Sequence, residues 1–420
     1  MESDTQYSLG EFKETAGPAT NGVGTVGAQS PSVRSPAESN GNPPLSARQY
    51  YRPELDAVRF LAFLLVFLSH TLPRTPTARV SDVLKGIATL YYTFANAAIY
   101  GVSLFFTLSA FLICELLLRE RRISGNVKVK QFYIRRILRI WPLYYLGLSI
   151  GAALALMPGG NRNALAGMGW YVVFLGAWEA AAHSWLDSPM FLLWSVSVEE
   201  QFYLFVPWVV KYLNRKSLYA FCAAVLLISN LWLYHLGAGH AIDDRIWADS
   251  LVQFQCFGAG ILLCLVLDGR TPKISSGHRM LLLAGAEICW LIAYTIPHSA
   301  LAVMNPNAFG WIVVGQYFLI TLGSVGTLLA FLGVNSTLVP RWLAYLGRIT
   351  FGLYVFHVLA KDAALHFLPK TGSYHGFMFL LWLCATFALT VGMAALSYHF
   401  FETPFLKMKK RFQFIASRPI

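Results

Sequence analysis

Ala57-Val58-Arg59-Phe60-Leu61-Ala62-Phe63-Leu64-Leu65-Val66-Phe67-Leu68-Ser69-His70-Thr71-Leu72 decides the fold class. As a helix this run extends about 24 Å, most of the way across a bilayer core of roughly 30 Å. Ten more apolar runs follow, at 100–118, 140–157, 166–182, 190–210, 217–236, 249–267, 280–296, 308–333, 343–366 and 375–400. The whole composition agrees with them. Hydrophobic residues make up 56% of the 420 and charged residues only 13%, where a soluble domain carries roughly a quarter charged. Mean hydropathy is +0.51. Soluble multidomain, collagen-like, disulfide-scaffold and wholly disordered chains are excluded. The reading is an all-α polytopic membrane protein.

The net charge of +12 does not point to nucleic acid, because the excess sits in short clusters between apolar runs, as cytoplasmic loops do. The six cysteines lie inside apolar stretches without CxxC spacing, so no disulfide framework or metal site is expected. Residues 1–50 are rich in Ser, Gly, Pro, Asn and Thr and lack an apolar run. They read as a disordered cytoplasmic tail without a signal-peptide core, leaving the first span as an uncleaved signal anchor. Residues 51–406 form the membrane domain and 407–420 a basic cytoplasmic tail.

Counting Lys and Arg by side sets the topology. If 166–182 does not cross, one face holds 24 of the 33 and the other 6, with Arg59, Arg348 and Lys361 inside spans. Letting it cross would put every later loop, and the tail Lys407-Met408-Lys409-Lys410-Arg411, on the opposite face. The positive-inside rule therefore selects about ten spans with both termini cytoplasmic. Segment 158–189 is then re-entrant or interfacial.

Ionisable residues at bilayer depth are costly and need an explanation. Arg59 and His70 are eleven residues apart, about 16 Å along a helix and near one face; they either line a cavity or are a snorkelling Arg and an interfacial His. Ser109, among the aromatics of Phe105-Phe106-Thr107-Leu108-Ser109-Ala110-Phe111, reads as helix packing or an inward donor. Arg135, Arg136 and Arg139 cluster at the start of a span, where guanidinium forks suit phosphate and a helix N-terminus adds positive charge. Lipid anchoring is the bland reading. Pro142 is expected in the first helical turn. Glu199 and Glu200, in Trp194-Ser195-Val196-Ser197-Val198-Glu199-Glu200-Gln201-Phe202-Tyr203, are hard to explain as packing; one of them is expected to serve the acceptor end beside His70. His357 falls inside its span, and Pro404 is expected to stop the last helix after Glu402.

In this order the segments resemble the acyltransferase-3 family of integral membrane acyltransferases, from about Arg52 to Leu406. The family pattern pairs an Arg and a His eleven residues apart (Arg59, His70). Next come Phe-Phe-x-x-Ser-Gly-Phe, Arg-Arg-x-x-Arg-x-x-Pro and Trp-Ser-Leu-Ser-x-Glu-x-Gln-Phe-Tyr. Ser-Tyr-x-x-Tyr-x-x-His and Glu-x-Pro close the set. Ala110 replaces the usual Gly, and Thr350-Phe351 replaces Ser-Tyr. No hydrolase-like domain follows the last span, so the stand-alone form is expected.

The resemblance implies O-acyl transfer, commonly acetyl, from acyl-CoA as co-substrate to a hydroxyl of a carbohydrate or glycosylated acceptor, with no bound cofactor, metal or nucleic acid. It makes His70 with Glu199 or Glu200 catalytic, and Arg59, Arg135, Arg136 and Arg139 donor-binding. Ser109, Tyr203, Tyr354 and His357 are supporting. The expected location is the inner membrane of a bacterium. A proton-coupled transporter or flippase is the rival class, but the sequence lacks the internal repeat such proteins usually show.

Overall fold

The computed structural model describes residues 50–75, 84–239, 243–297, 308–367, 376–413 and 415. All regular structure among them is helical. The expected N-terminal tail lies outside the described residues save Tyr50, as does most of the chain after Gln413.

The helices are α1 Pro53–Thr71, α2 Lys85–Ala97, α3 Gly101–Ser124, α4 Val129–Leu156, α5 Ala164–Val172, α6 Gly176–Ala182, α7 Trp194–Tyr212 and α8 Arg215–Ala238. There follow α9 Asp243–Ala248, α10 Ser250–Leu267, α11 Ser276–Thr295, α12 Phe309–Phe331, α13 Arg341–Arg348, α14 Thr350–Phe367, α15 Phe377–Leu396 and α16 Thr403–Lys410. Among the described residues six stretches are long and apolar enough to cross a membrane, namely α2 with α3, α4, α8, α10, α12, and α15 continued through α16. A seventh arises if α13 and α14, bent by 73°, make one broken span. α1, α7 and α11 have 19, 19 and 20 residues. The first two owe their lower apolarity to Glu54, Asp56 and Arg59, and to Glu199, Glu200 and Lys211.

α1 sits at the centre. Pro53 at its start gives up an N–H that would have no helical partner, and Glu54 and Asp56 face the positive end of the helix. Its side chains are buried nearly all round, against α3, α13 and α14, as expected of an element apolar on every face. Two glycines permit this. A Cβ on Gly101 of α3 would run into the Ala62 carbonyl of α1, and one on Gly347 of α13 into that of Asp56. Leucine at either position is expected to cost about 1–3 kcal/mol or more and to lower the thermal unfolding midpoint in detergent. Unchanged midpoints for both would mean that these helices need not touch.

One end of the bundle is closed by arginines. Arg121 donates to the carbonyls of Val210 and Leu213 at 2.5 and 2.7 Å, and Arg215 to that of Leu265 at 2.9 Å. Arg279 donates to those of Ala330 and Leu332 at 2.5 and 2.8 Å. Each fills carbonyls left open where a neighbouring helix ends. Asp268 joins Arg215 and Arg122 there; the Arg215 hydrogen bond, helped by the Arg122 charge, outweighs desolvation and holds its carboxyl below the usual carboxylate range.

Run 166–182 makes only α5 and α6, of nine and seven residues, too short to span. They fold back at Phe174, whose φ of 58° is rare outside glycine. Its ring packs between Trp141 and Tyr144, with centroids 5.4 and 4.5 Å away, while Gln201 donates to its carbonyl at 3.1 Å.

Two proline expectations are corrected. α4 begins at Val129, so Pro142 lies in its interior and Arg135, Arg136 and Arg139 occupy its second and third turns rather than its N-terminus. Pro404 does not stop the last helix. A π-helical turn at Ser397–Glu402 absorbs the register change, and Pro404 opens α16, where its missing N–H costs nothing.

Candidate functional site

Two cavities lie against opposite halves of α1. The first, about 200 Å³, runs along α3, where Leu116, Leu112, Ser109, Phe105 and Val102 line it at alternating three- and four-residue steps. Fourteen residues of helix make it about 21 Å long. Arg59, Arg136, Arg139 and Glu199 line its other walls. The second cavity, about 460 Å³, is lined by His70 and by an aromatic set including Trp185, Trp194, Trp247 and Tyr317, with Arg74, Asn96, Asp244 and Gln316 among them. Val102 and Tyr354 line both.

The first cavity is basic. Arg59 is tied to Asp56 at 2.6 Å. Arg136 and Arg139 make no hydrogen bond or ion pair with any described residue. The Arg136 guanidinium stacks over Phe132 and Tyr203 at 5.3 and 5.2 Å, its Nε buried and unpartnered. Helix phasing separates the three arginines. Residues three apart share a face, so 136 and 139 look into the cavity together, while Arg135 turns away to Glu120 at 3.1 Å and the Phe412 carbonyl at 2.9 Å. The expected trio is a pair, joined by Arg59.

Glu199 belongs to this cavity and not to the His70 side. It accepts from Tyr203 Oη at 2.8 Å. Tyr203 has one proton and spends it there, so Ser109 Oγ, 2.7 Å away, donates to Tyr203. Glu200 lines neither cavity; Trp141 Nε1 donates to it at 3.2 Å, and its other oxygen is buried without a partner. Neither carboxylate bonds the His70 ring; their partners are Trp141 for Glu200 and Tyr203 for Glu199.

The partner of His70 is His357, 287 positions on, with Nε2 3.2 Å from His70 Nδ1. Their protons follow from the acceptors around them. His357 Nδ1 is 2.7 Å from the Tyr354 carbonyl, so it carries hydrogen. His70 Nδ1 is 2.9 Å from the Val66 carbonyl, so it does too. A bond between the rings then requires a bare His357 Nε2. The neutral His70 tautomer this leaves has its lone pair on Nε2, which no described residue engages.

Tyr354 stands one turn before His357. Its hydroxyl meets Ser195 Oγ at 2.7 Å and the Leu192 carbonyl at 3.2 Å. Among the described residues no group of three or more His, Cys, Asp or Glu could hold a metal. Sequence reading missed Arg52 and Lys409 in the first cavity and the aromatic lining of the second. The lining of the second comes from segments distant in the chain, and only the Asp243–Asp249 stretch between two apolar runs hinted at a polar site.

Fold and site together define a multi-pass helical membrane protein with a basic cavity and an aromatic, histidine-bearing cavity sharing one wall. The family model for the acyltransferase domain matches residues 52–399, and the chain belongs to that acyltransferase-3 family. A Staphylococcus aureus (strain MSSA476) protein named "Putative O-acetyltransferase SAS0844" is 23% identical over 384 residues, covering 85% of this chain and 58% of the relative. The Listeria monocytogenes peptidoglycan O-acetyltransferase OatA is 23% identical over 382 residues, covering 85% and 56%. The chain thus spans little more than half the length of these relatives. No solved structure matches it.

Proposed function

We propose that this chain is a bacterial inner-membrane O-acyltransferase that moves an acetyl group from acetyl-CoA to a hydroxyl of a carbohydrate acceptor. The observation that carries the reading is the shared wall at Val102 and Tyr354, with the Arg136 and Arg139 guanidiniums on one side and the Nε2 of His70 on the other. Arg136, Arg139 and Arg59 hold the donor phosphates. Arg59 and His70 are about 16 Å apart along α1, which leaves room for the pantetheine arm between them. The acceptor occupies the second cavity, where aromatic faces and polar side chains suit sugar rings and their hydroxyls. Support for such an acceptor comes from the Listeria relative, named for peptidoglycan.

His70 Nε2 takes the hydroxyl proton as the acceptor oxygen bonds to the thioester carbonyl carbon. Collapse of the tetrahedral adduct breaks the carbon–sulfur bond, and the proton on His70 goes to the departing thiolate. His357, together with the Val66 carbonyl, holds the His70 ring in the tautomer this needs and disperses the charge it gains. Incubating purified protein with acetyl-CoA and a glycan acceptor, and following free thiol together with ester product, tests the reading. Acetyl-CoA that is neither bound nor consumed would refute it.

The topology proposed with it has ten spans and cytoplasmic termini, α1, α7 and α11 joining the more apolar stretches. The arginine end faces the cytoplasm, where acyl-CoA is made. Cysteine at Asp187, an exposed site, is expected to label from outside the cell. Labelling only from the cytoplasm would overturn the arrangement.

A further inference from the structure

The first cavity carries more positive charge than one pyrophosphate requires, and the charge lies at two levels. Arg136 marks the inner level, because it stacks on Tyr203, which is bonded to Ser109 of α3. Arg52 marks the outer level, because it meets Glu115 of α3 at 3.3 Å. Six residues of helix separate these levels by about 9 Å. Tyr50, Arg52 and Lys409 all line the cavity. The Arg52 and Arg119 guanidiniums lie over the Tyr50 ring, 5.3 and 4.9 Å from its centroid, and the Tyr50 hydroxyl is 2.5 Å from Glu115.

Glu115 accepts from Arg52 at 3.3 Å and from the Tyr50 hydroxyl. It engages only Nη2 of Arg52. Nη1 is buried with no hydrogen-bond partner, on a side chain only 13% exposed. A buried guanidinium N–H left unsatisfied is costly, and an oxyanion in the cavity would satisfy it.

Resting on the donor reading above, we propose that Arg52 and Lys409 form a second phosphate subsite that binds the ribose 3′-phosphate of coenzyme A. The inner group of Arg59, Arg136 and Arg139 takes the pyrophosphate, and the spacing of the two levels follows the layout of the nucleotide. This subsite makes the protein selective for coenzyme A thioesters over acyl donors that lack the 3′-phosphate.

The test measures binding of coenzyme A and of 3′-dephospho-coenzyme A to the full chain in neutral detergent. The wild type is expected to hold coenzyme A roughly tenfold or more tighter, the scale of charge-assisted hydrogen bonds. Arg52→Lys and Lys409→Ala should each erode that preference by weakening coenzyme A and leaving the dephospho form within about twofold. Equal affinity of the wild type for both ligands, or equal loss for both in the variants, overturns the subsite. An anionic lipid headgroup at the same place would show as affinity set by added phosphatidylglycerol with no 3′-phosphate preference, which also overturns it. Failure of the wild type to bind either nucleotide is distinguishable, since it removes the donor reading as a whole. Lys409→Ala leaves the Arg52–Glu115 pair intact, so a folding defect in the Arg52 variant does not decide the result.

Discussion

Replacing His70 by Ala is expected to lower acetyl transfer by about 10²–10⁴-fold, the usual contribution of a general base, while acetyl-CoA binding persists. The two should separate because His70 lines the second cavity and not the one holding the arginines. His357 is a positioning residue for the same step and gives a graded series. His357→Leu removes one of the two acceptors on the His70 Nδ1 proton and leaves the Val66 carbonyl alone to hold it, so a fall in kcat with donor KM unchanged is expected. His357→Gln can still donate to the Tyr354 carbonyl and accept from His70, and should recover part of the rate. A merely structural role would predict equal losses in both and a parallel fall in thermal stability. Wild-type turnover in His70→Ala would end the mechanism outright.

The second large effect concerns the arginines, and the expected result is a division among them. Arg139→Ala and Arg136→Ala should each raise the donor KM or Kd by about 10–100-fold, from the roughly 1.5–3 kcal/mol of a hydrogen bond to a charged group. Lysine should restore little where the fork is used. Arg135→Ala should leave donor affinity within about twofold and instead weaken the attachment of α4 to Glu120 and Phe412. Titrating acetyl-CoA into the three variants decides it. If all three behave alike, the basic cluster is a topological anchor and the cavity assignment fails.

That division shows where the sequence was legible and where it was not. The periodic apolar runs announce the helices, and the charge count marks 166–182 as non-spanning, a conclusion its two short helices support. The start of α4 was hidden for a physical reason. Its first turns, Val129–Arg139, are too charged to register as apolar, so the run seemed to begin at Ile140 and Pro142 seemed to open it. Moving the start back eleven residues changed the arginines from a helix terminus into a cavity wall. The facing of Glu199 was likewise set by how α7 rotates against α3, through Tyr203 and Ser109, which no local spacing encodes. The contact between His70 and His357 spans 287 positions and left no trace in either segment beyond a histidine in an apolar run.

The wall at Val102 and Tyr354 has an electrical consequence. Under the proposed topology the two cavities open to opposite faces, and if both hold water the transmembrane voltage falls mainly across the wall to which Val102 and Tyr354 contribute. An elementary charge crossing the full potential gains or loses about 2.3 kcal/mol per 100 mV. Narrowing the dielectric compresses that energy into the few ångströms over which His70 would pass the acceptor's proton to the departing thiolate. The same septum must hold back ions: Tyr354→Ala or Val102→Gly would thin it to a gap, and a catalyst would begin to conduct.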